Sequence, residues 1–236
     1  MVPCAMSLQN RAPVHLRVNF LKTDLGEAID ALKSEGIVSH PVQVCQTALE
    51  VTEGARRIAQ SQAYARGLVE LQDAASQAVV AALERRPGMR VLDYCAGGGG
   101  KALALAAHEG VEVYAHDVNS GRMKDIPTRA ERAGAKITIL NSDDLSGVDP
   151  FDVVLVDAPC SGSGSWRRAP AGKWALTEDR LRDLTTIQAR ILSDIAPLVH
   201  PGGLLAYATC SVLNDENGAI IDGFLDHFSQ WRETSR

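Results

Sequence analysis

The pattern of hydrophobic and polar positions changes at about Gly88, and the two sides of that point predict different units. Before it, short apolar runs predict strands at residues 14–20 and 48–52, with an amphipathic helix at 25–35 between them. A helical stretch over 63–83 follows and ends before a proline and Gly88, which are residues that stop helices. We therefore expect a small N-terminal α/β appendage over residues 1–60.

After Gly88 apolar runs alternate regularly with helical stretches. Strands are predicted at 90–94, 111–116, 136–140, 151–156 and 204–208, and helices after the glycine-rich turn to about 108, at 121–133, from about 177 to 196 and at 217–228. This alternation indicates an α/β fold with a mostly parallel, Rossmann-like sheet and helices on both faces. We expect it to form one catalytic domain over residues 61–236.

Composition narrows the class of protein. Of 236 residues, 45% are hydrophobic and 22% charged, which is ordinary for a globular protein. No apolar stretch is long enough to span a membrane and the N-terminus has no leader pattern, so a cytoplasmic location is expected. The five cysteines form no CxxC pairs and predict neither a disulfide framework nor a metal site; Cys4, Cys45 and Cys95 are expected to be inert. The net charge of −5 disfavours non-specific binding to a polyanion unless a local basic patch exists.

A glycine-rich turn follows the first strand of the second unit. Glycines permit close approach of a ligand to the backbone, and Asp117, at the end of the next strand, has the spacing of a ribose-binding carboxylate. Asp93 near the turn suits the cationic methionine end of S-adenosylmethionine better than a pyrophosphate. The turn also satisfies a dinucleotide fingerprint, so an NAD-dependent oxidoreductase is an alternative, whereas Cys95 and Ala102 exclude a P-loop.

Two cysteines come directly after predicted buried strands, Cys160 in Asp-Ala-Pro-Cys-Ser-Gly and Cys210 in Ala-Thr-Cys-Ser. Strand ends of a parallel sheet meet at one edge, so the thiols are expected in one cleft, although a free cysteine is more often a small buried hydrophobe. Carbon 5 of a pyrimidine is a poor nucleophile, and its methylation requires prior attack of a thiolate at carbon 6. Asp157 would hydrogen-bond or protonate N3 of the base, and a second group must help to release the product.

A basic and aromatic segment follows Cys160. Guanidinium groups contact phosphates and indoles stack on unpaired bases, which predicts a single-stranded RNA-binding loop, with a solvated basic loop as the alternative. The predicted RNA-binding residues are Trp166, Arg167, Arg168, Lys173 and Trp174.

These motifs together resemble the Fmu/Sun-type (RsmB-like) family of RNA cytosine-C5 methyltransferases, over roughly residues 72–217, and residues 14–19 resemble the start of its N-terminal RNA-binding appendage. The resemblance implies that Cys210 is the nucleophile, that Cys160 assists release and that the substrate is ribosomal RNA. It implies cofactor contacts from Cys95, Ala96, Gly97, Gly98, Gly99, Gly100, Lys101, Asp117, Arg122, Asp157 and one of Asp143 and Asp144.

The chain departs from the family pattern at its end and in two motifs. Gly97-Gly98 replace a frequent Ala-Pro, and Ala171 replaces a frequent aspartate in the RNA loop. Only 26 residues follow Cys210, so the hairpin that normally completes the sheet is expected to be missing and activity to be reduced. A methyltransferase acting on transfer RNA or on a nitrogen atom, and a non-catalytic RNA-binding assembly factor, are further alternatives.

Overall fold

The computed structural model describes residues 11–235. Two predictions therefore lie outside the described residues. These are the absence of a leader pattern at the N-terminus and the inert character of Cys4. Within 11–235, no helix combines the length and apolar character needed to cross a membrane.

The N-terminal unit is a four-stranded antiparallel sheet covered by a helix. The order of its strands is β2-β3-β1-β4. They comprise β1 (Val14–Val18), β2 (Val38–Pro41), β3 (Ala48–Glu53) and β4 (Val69–Leu71), with helices α1 (Leu25–Ser34) and α2 (Gln62–Ala65). Helix α1 begins at Asp24, whose carboxylate accepts from the Glu27 N–H, and buries Ala28 and Leu32 against the sheet.

The predicted strands β1 and β3 and helix α1 are confirmed, but the continuous helix over 63–83 is wrong. Gly67 adopts a left-handed conformation with φ 71°, and β4 then pairs with β1 before α3 (Ala74–Ala81) begins. Pairing with a distant strand overrides the local helical preference there. The N-terminal sheet thus extends to Leu71, beyond residue 60, and the division into two domains stays a prediction.

The second unit is a five-stranded parallel sheet with strand order β7-β6-β5-β8-β9, which confirms the predicted Rossmann-like α/β fold. Its strands are β5 (Arg90–Asp93), β6 (Glu112–His116), β7 (Ile137–Leu140), β8 (Phe151–Asp157) and β9 (Val199–Ala208). Helices α4 (Gly100–Leu105), α5 (Ile126–Ala133), α6 (Ala171–Ala175), α7 (Glu178–Ile195) and α8 (Gly218–His227) follow in chain order. Separate apolar clusters cover the two faces of the sheet.

Several element bounds differ from the sequence expectation. The stretch predicted as one helix at 121–133 divides into a 3-10 turn, Ser120–Met123, and helix α5, which has a proline in its first turn. The predicted loop before Thr177 contains the short helix α6. Strand β9 begins at Val199 instead of residue 204, because an irregularity in its pairing with β8 accommodates the Pro-Gly-Gly segment.

Polar contacts join the N-terminal unit to the edge of the second unit. Glu70, almost fully buried on β4, forms ion pairs with Arg129 and Arg132 of α5. The Gln72 amide donates to the carbonyl of Gly100 at 3.0 Å, and the Asn19 amide donates to that of Ala133 at 2.8 Å. The N-terminal unit therefore lies directly against the glycine-rich turn and α5.

Candidate active site

The two cysteines that follow β8 and β9 lie side by side. Strands β8 and β9 are parallel neighbours, and Asp157 pairs with Ala208 where they end. The chain then enters a first cysteine loop, residues 158–165, and a second, residues 209–217. Cys160 Sγ and Cys210 Sγ are 3.2 Å apart, so the structure confirms that both thiols meet at one edge of the sheet.

The hydrogen bond between the two thiols gives them different pKa values. The hydrogen bond with Cys160 lowers the pKa of Cys210 to about 6, although partial burial opposes this, and a further hydrogen bond with the Ser165 hydroxyl acts in the same direction. The same contact with Cys210, together with burial, raises the pKa of Cys160. These directions favour ionisation of Cys210, with the Cys160 thiol as the hydrogen-bond donor. Cys210 is also the more exposed of the two.

Backbone contacts hold the cysteine loops together. The N–H of Gly164 donates to the carbonyl of Cys210 at 2.9 Å, and a Cβ at Gly164 would lie only 2.8 Å from that oxygen. The Ser163 hydroxyl accepts from the N–H of Val212 at 2.9 Å and lies 2.8 Å from the Ser211 hydroxyl. A glycine at position 164 thus lets one loop approach the other, a reason that the sequence did not indicate.

The glycine-rich turn forms a tight cradle beside Asp117. Gly97 and Gly99 have φ of 51° and 80°, and a Cβ at Gly99 would meet Ile126 Cγ1 at 2.7 Å. The N–H of Gly97 donates to an Asp117 carboxylate oxygen at 3.0 Å, and Arg122 forms an ion pair with the same oxygen at 3.0 Å. The structure thus brings together the turn, Asp117 and Arg122, as the sequence predicted.

Asp93 is a buried carboxyl group whose side-chain oxygens make no hydrogen bond of normal geometry within residues 11–235, although the backbone N–H of Ala102 acts to lower its pKa. Burial raises its pKa to about 7, against the attraction of the Lys101 ammonium. Lys101 pairs instead with Asp157 at 2.6 Å and so links the turn to the end of β8. An unsatisfied acidic group at this place favours a cationic ligand, and the cradle therefore fits the sulfonium and amino groups of S-adenosylmethionine.

The remaining predicted cofactor residues also lie near the carboxyl edge of the sheet. The side chain of Asp144 accepts from the N–H of Asn141 at 2.7 Å in a capping box, which leaves Asp143 as the better candidate of the two. Burial raises the pKa of Cys95 to about 12, so this thiol remains protonated. Cys45 is buried in the N-terminal unit, where its sulfur contacts the Thr47 hydroxyl.

The segment over residues 166–176, which we call the aromatic–basic loop, contains two different kinds of tryptophan. Trp174 is 83% exposed on α6, with the Lys173 ammonium 5.4 Å from its ring centroid. Trp166 is half-buried and packs against Gly172, where a Cβ would meet the ring at 3.1 Å. Arg168 forms an ion pair with Asp73 and donates to the carbonyl of Pro13, and so joins the loop to the N-terminal unit.

Sequence reasoning missed the polar residues behind the thiols. Glu216 and Gln188 are fully buried, and the Gln188 amide donates to the carbonyl of Pro159 at 2.9 Å and to Glu216 at 3.1 Å. Nothing in the pattern separates Glu216 from its exposed neighbour Asp215. Only the packing of α7 against the second cysteine loop shows that Glu216 points inward.

Comparisons with known proteins show which family the chain belongs to. Residues 80–236 match the model of a family described as 16S rRNA methyltransferase RsmB/F. The chain is 36% identical over 221 residues to ribosomal RNA small subunit methyltransferase B of Salmonella arizonae, an alignment that covers 91% of this chain and 51% of that protein. The chain spans about half the length of the curated relatives it matches.

Two solved structures share the fold over nearly the whole chain. The crystal structure of PH0851 matches with a TM-score of 0.87 and 33% identity, covering 94% of this chain and 52% of that one. A methyltransferase homolog protein from Pyrococcus horikoshii matches with a TM-score of 0.83 and 28% identity, covering 95% and 73%.

Proposed function

Because the chain belongs to the RsmB/F family of 16S rRNA methyltransferases, we propose that it methylates carbon 5 of a cytosine in ribosomal RNA through a covalent adduct with Cys210. The observation that carries this proposal is the thiol pair, 3.2 Å apart at the ends of two neighbouring strands. The lowered pKa of Cys210 favours the thiolate, which is the state that a nucleophile needs.

The cofactor of this family is S-adenosylmethionine, which supplies the methyl group. The glycine-rich turn, Cys95 to Lys101, would lie along it, with Asp117 at its ribose. The unsatisfied carboxyl group of Asp93 would face its cationic end. Asp143 is the acidic residue that we assign to the far side of this site, because Asp144 is used in the capping box.

The residues of the chain divide the chemistry between them. The Cys210 thiolate forms a bond to carbon 6, and the negative charge that develops on the ring makes carbon 5 nucleophilic. Asp157, which contacts Lys101, is assigned to donate a hydrogen bond to N3 from its protonated form, because N3 is an acceptor, and so to stabilise this charge. After methyl transfer, solvent takes up the proton from carbon 5, and the electrons of that C–H bond re-form the double bond between carbons 5 and 6. The bond from carbon 6 to sulfur then breaks with its electrons on sulfur, which regenerates the Cys210 thiolate. Cys160 assists this release.

The aromatic–basic loop is assigned to RNA binding. Trp174 is the exposed aromatic ring and offers a surface on which an unpaired base can stack. Lys173, beside this ring, and Arg167, in the same loop, supply positive charge. Arg168 and Trp166 have intramolecular contacts that hold the loop, so we assign them mainly to its position.

The test is incubation of the 236-residue chain with radiolabelled S-adenosylmethionine and unmodified small-subunit ribosomal RNA, followed by mapping of 5-methylcytosine. The wild-type chain and Cys45→Ala, which removes a buried thiol in the N-terminal unit, are expected to transfer the label. Cys210→Ala is expected to transfer none. Undiminished transfer by Cys210→Ala, label mapped to a nitrogen atom, or transfer only to unmodified transfer RNA in a parallel incubation contradicts the proposal.

A further inference from the structure

Behind the two thiols lies a buried carboxylate that the proposed chemistry does not use. Glu216 follows Cys210 in the second cysteine loop and has no exposed surface. Its carboxylate accepts the N–H of Ser161 at 2.7 Å, the hydroxyl of Ser161, and the amide of Gln188 at 3.1 Å. Its backbone carbonyl accepts the hydroxyl of Tyr207 at 2.8 Å. Burial of a carboxyl group costs free energy, and here several hydrogen-bond donors offset that cost. This arrangement indicates a role beyond packing.

The donors keep Glu216 ionised. Burial raises its pKa, but hydrogen bonds from the Ser161 and Ser211 hydroxyls and from the Ser161 N–H outweigh burial, and the net pKa lies below the ordinary value. The side chain is therefore an anion at neutral pH, and charge-assisted hydrogen bonds such as these are stronger and better directed than neutral ones. Loss of the charge would leave the donors around it without an acceptor.

The contacts of Glu216 converge on the two peptide units that flank Cys160. Ser161 follows Cys160 and donates to Glu216 through both its backbone and its side chain. Pro159 precedes Cys160, and its carbonyl accepts from the same Gln188 amide that donates to Glu216. Because Glu216 itself belongs to the loop of Cys210, one buried side chain connects the backbones that carry the two thiols.

We infer that Glu216 is a positioning residue that holds Cys160 against Cys210. Through Ser161 and Gln188 it fixes the backbone on both sides of Cys160, and this sets the separation of 3.2 Å between the sulfur atoms. The importance of Glu216 for methylation rests on the proposed function. The effect of Glu216 on the geometry of the thiols is independent of the proposed function and can be measured without RNA or cofactor.

The substitution Glu216→Gln tests this inference with little change in volume. The amide retains one acceptor oxygen, but its NH₂ group would face either the Ser161 hydroxyl, which would have to reverse its hydrogen bond, or the NH₂ group of Gln188, which only donates. We expect the Ser161 backbone to move and the thiols to separate, so that Cys210 loses the hydrogen bond from Cys160. The matched control is Asp215→Asn, which removes an exposed negative charge from the preceding residue.

The measurement is the pH dependence of Cys210 alkylation by iodoacetamide, followed by mass spectrometry of the peptide that contains Cys210. Glu216→Gln is expected to raise the midpoint by at least about one pH unit, the size expected when a thiolate loses one hydrogen bond. Asp215→Asn is expected to leave it unchanged. Circular dichroism establishes that each variant is folded at the temperature of the measurement. In methylation assays, Glu216→Gln is expected to lower kcat by at least about tenfold with KM for RNA unchanged.

A residue that only stabilises the fold would lower the temperature of unfolding without moving this midpoint. An unchanged midpoint in folded Glu216→Gln therefore overturns the inference. If that variant does not fold, Ser161→Ala removes one donor to Glu216 and is expected to shift the midpoint in the same direction; no shift there overturns the inference equally. Absence of methylation by every protein, the wild type included, would count against the proposed function. The alkylation midpoint would still test the role of Glu216 as a positioning residue.

Discussion

The unequal thiols predict that removal of Cys160 changes the acidity of Cys210. In the wild-type chain, the pKa of Cys210 is lowered to about 6, with the hydrogen bond from Cys160 as the largest cause. Cys160→Ala removes this donor, and the midpoint of Cys210 alkylation is expected to rise toward the value of about 8.5 of an ordinary cysteine. Cys160→Ser keeps a hydroxyl donor in place of the thiol and is expected to give an intermediate midpoint.

The effect of Cys160→Ala on the fraction of Cys210 thiolate differs in size from its effect on the alkylation rate. A pKa of about 6 makes Cys210 about nine-tenths thiolate at pH 7, whereas a pKa of about 8.5 leaves about 3%, a decrease of about 30-fold. The thiolate of the weaker acid is more nucleophilic, by about tenfold for this change in pKa, so the rate at pH 7 is expected to fall only about threefold. The full pH profile is therefore the informative assay.

The alkylation profile of Cys210 is best measured by peptide mass spectrometry from about pH 5 to pH 10, where all protein variants must be shown to be folded. A midpoint in Cys160→Ala within about half a unit of the wild-type value would refute the account of proton sharing between the thiols. A rise in the midpoint of Cys160→Ser as large as that of Cys160→Ala would show instead that sulfur, and not a hydrogen-bond donor, is required.

Two further predictions concern the cofactor cradle and the RNA loop. Burial raises the pKa of Asp93 to about 7, so its carboxyl group favours the folded state when protonated; that contribution is complete below about pH 4 and is lost as the pH rises through about 7. Asp93→Asn is therefore expected to stabilise the ligand-free protein more at pH 8 than at pH 5, with a difference of about 2–3 kcal/mol between the two pH values, and to weaken binding of S-adenosylmethionine. Equal melting-temperature shifts at the two pH values would contradict this. Trp174→Ala is expected to weaken RNA binding by about 1–3 kcal/mol without changing the melting temperature, because its ring is exposed. Trp166→Ala, in contrast, is expected to lower the melting temperature. Equal RNA affinity of Trp174→Ala and the wild type in a filter-binding titration would show that Trp174 does not contact RNA.

The sequence was sufficient to predict the positions of those site residues that directly follow strands of the parallel sheet. Apolar runs before Cys160 and Cys210 predicted two buried strands, and the parallel pairing of β8 and β9 then brings the thiols together. The glycine-rich turn and Asp117 follow the same rule at β5 and β6. Such positions are predictable because a parallel sheet fixes where its connecting loops begin.

Features that depend on tertiary contacts were not predictable. Strand β4 lies in a segment with helical character, and only its pairing with β1 makes it a strand. Glu216 and Asp215 are adjacent acidic residues, and the packing of α7 decides which one is buried. The two tryptophans of the aromatic–basic loop differ in exposure for a similar reason, since Trp166 packs against Gly172 whereas Trp174 lies exposed on α6.

The central claim is that Cys210 attacks the base and Cys160 assists its release. The most direct measurement is denaturing electrophoresis and mass spectrometry of Cys160→Ala after incubation with S-adenosylmethionine and unmodified small-subunit ribosomal RNA. We expect a covalent protein–RNA complex that is joined through the peptide containing Cys210. We expect no such complex in the double variant Cys160→Ala/Cys210→Ala. A complex joined through any other residue, or equal amounts of complex in the single and double variants, would contradict it.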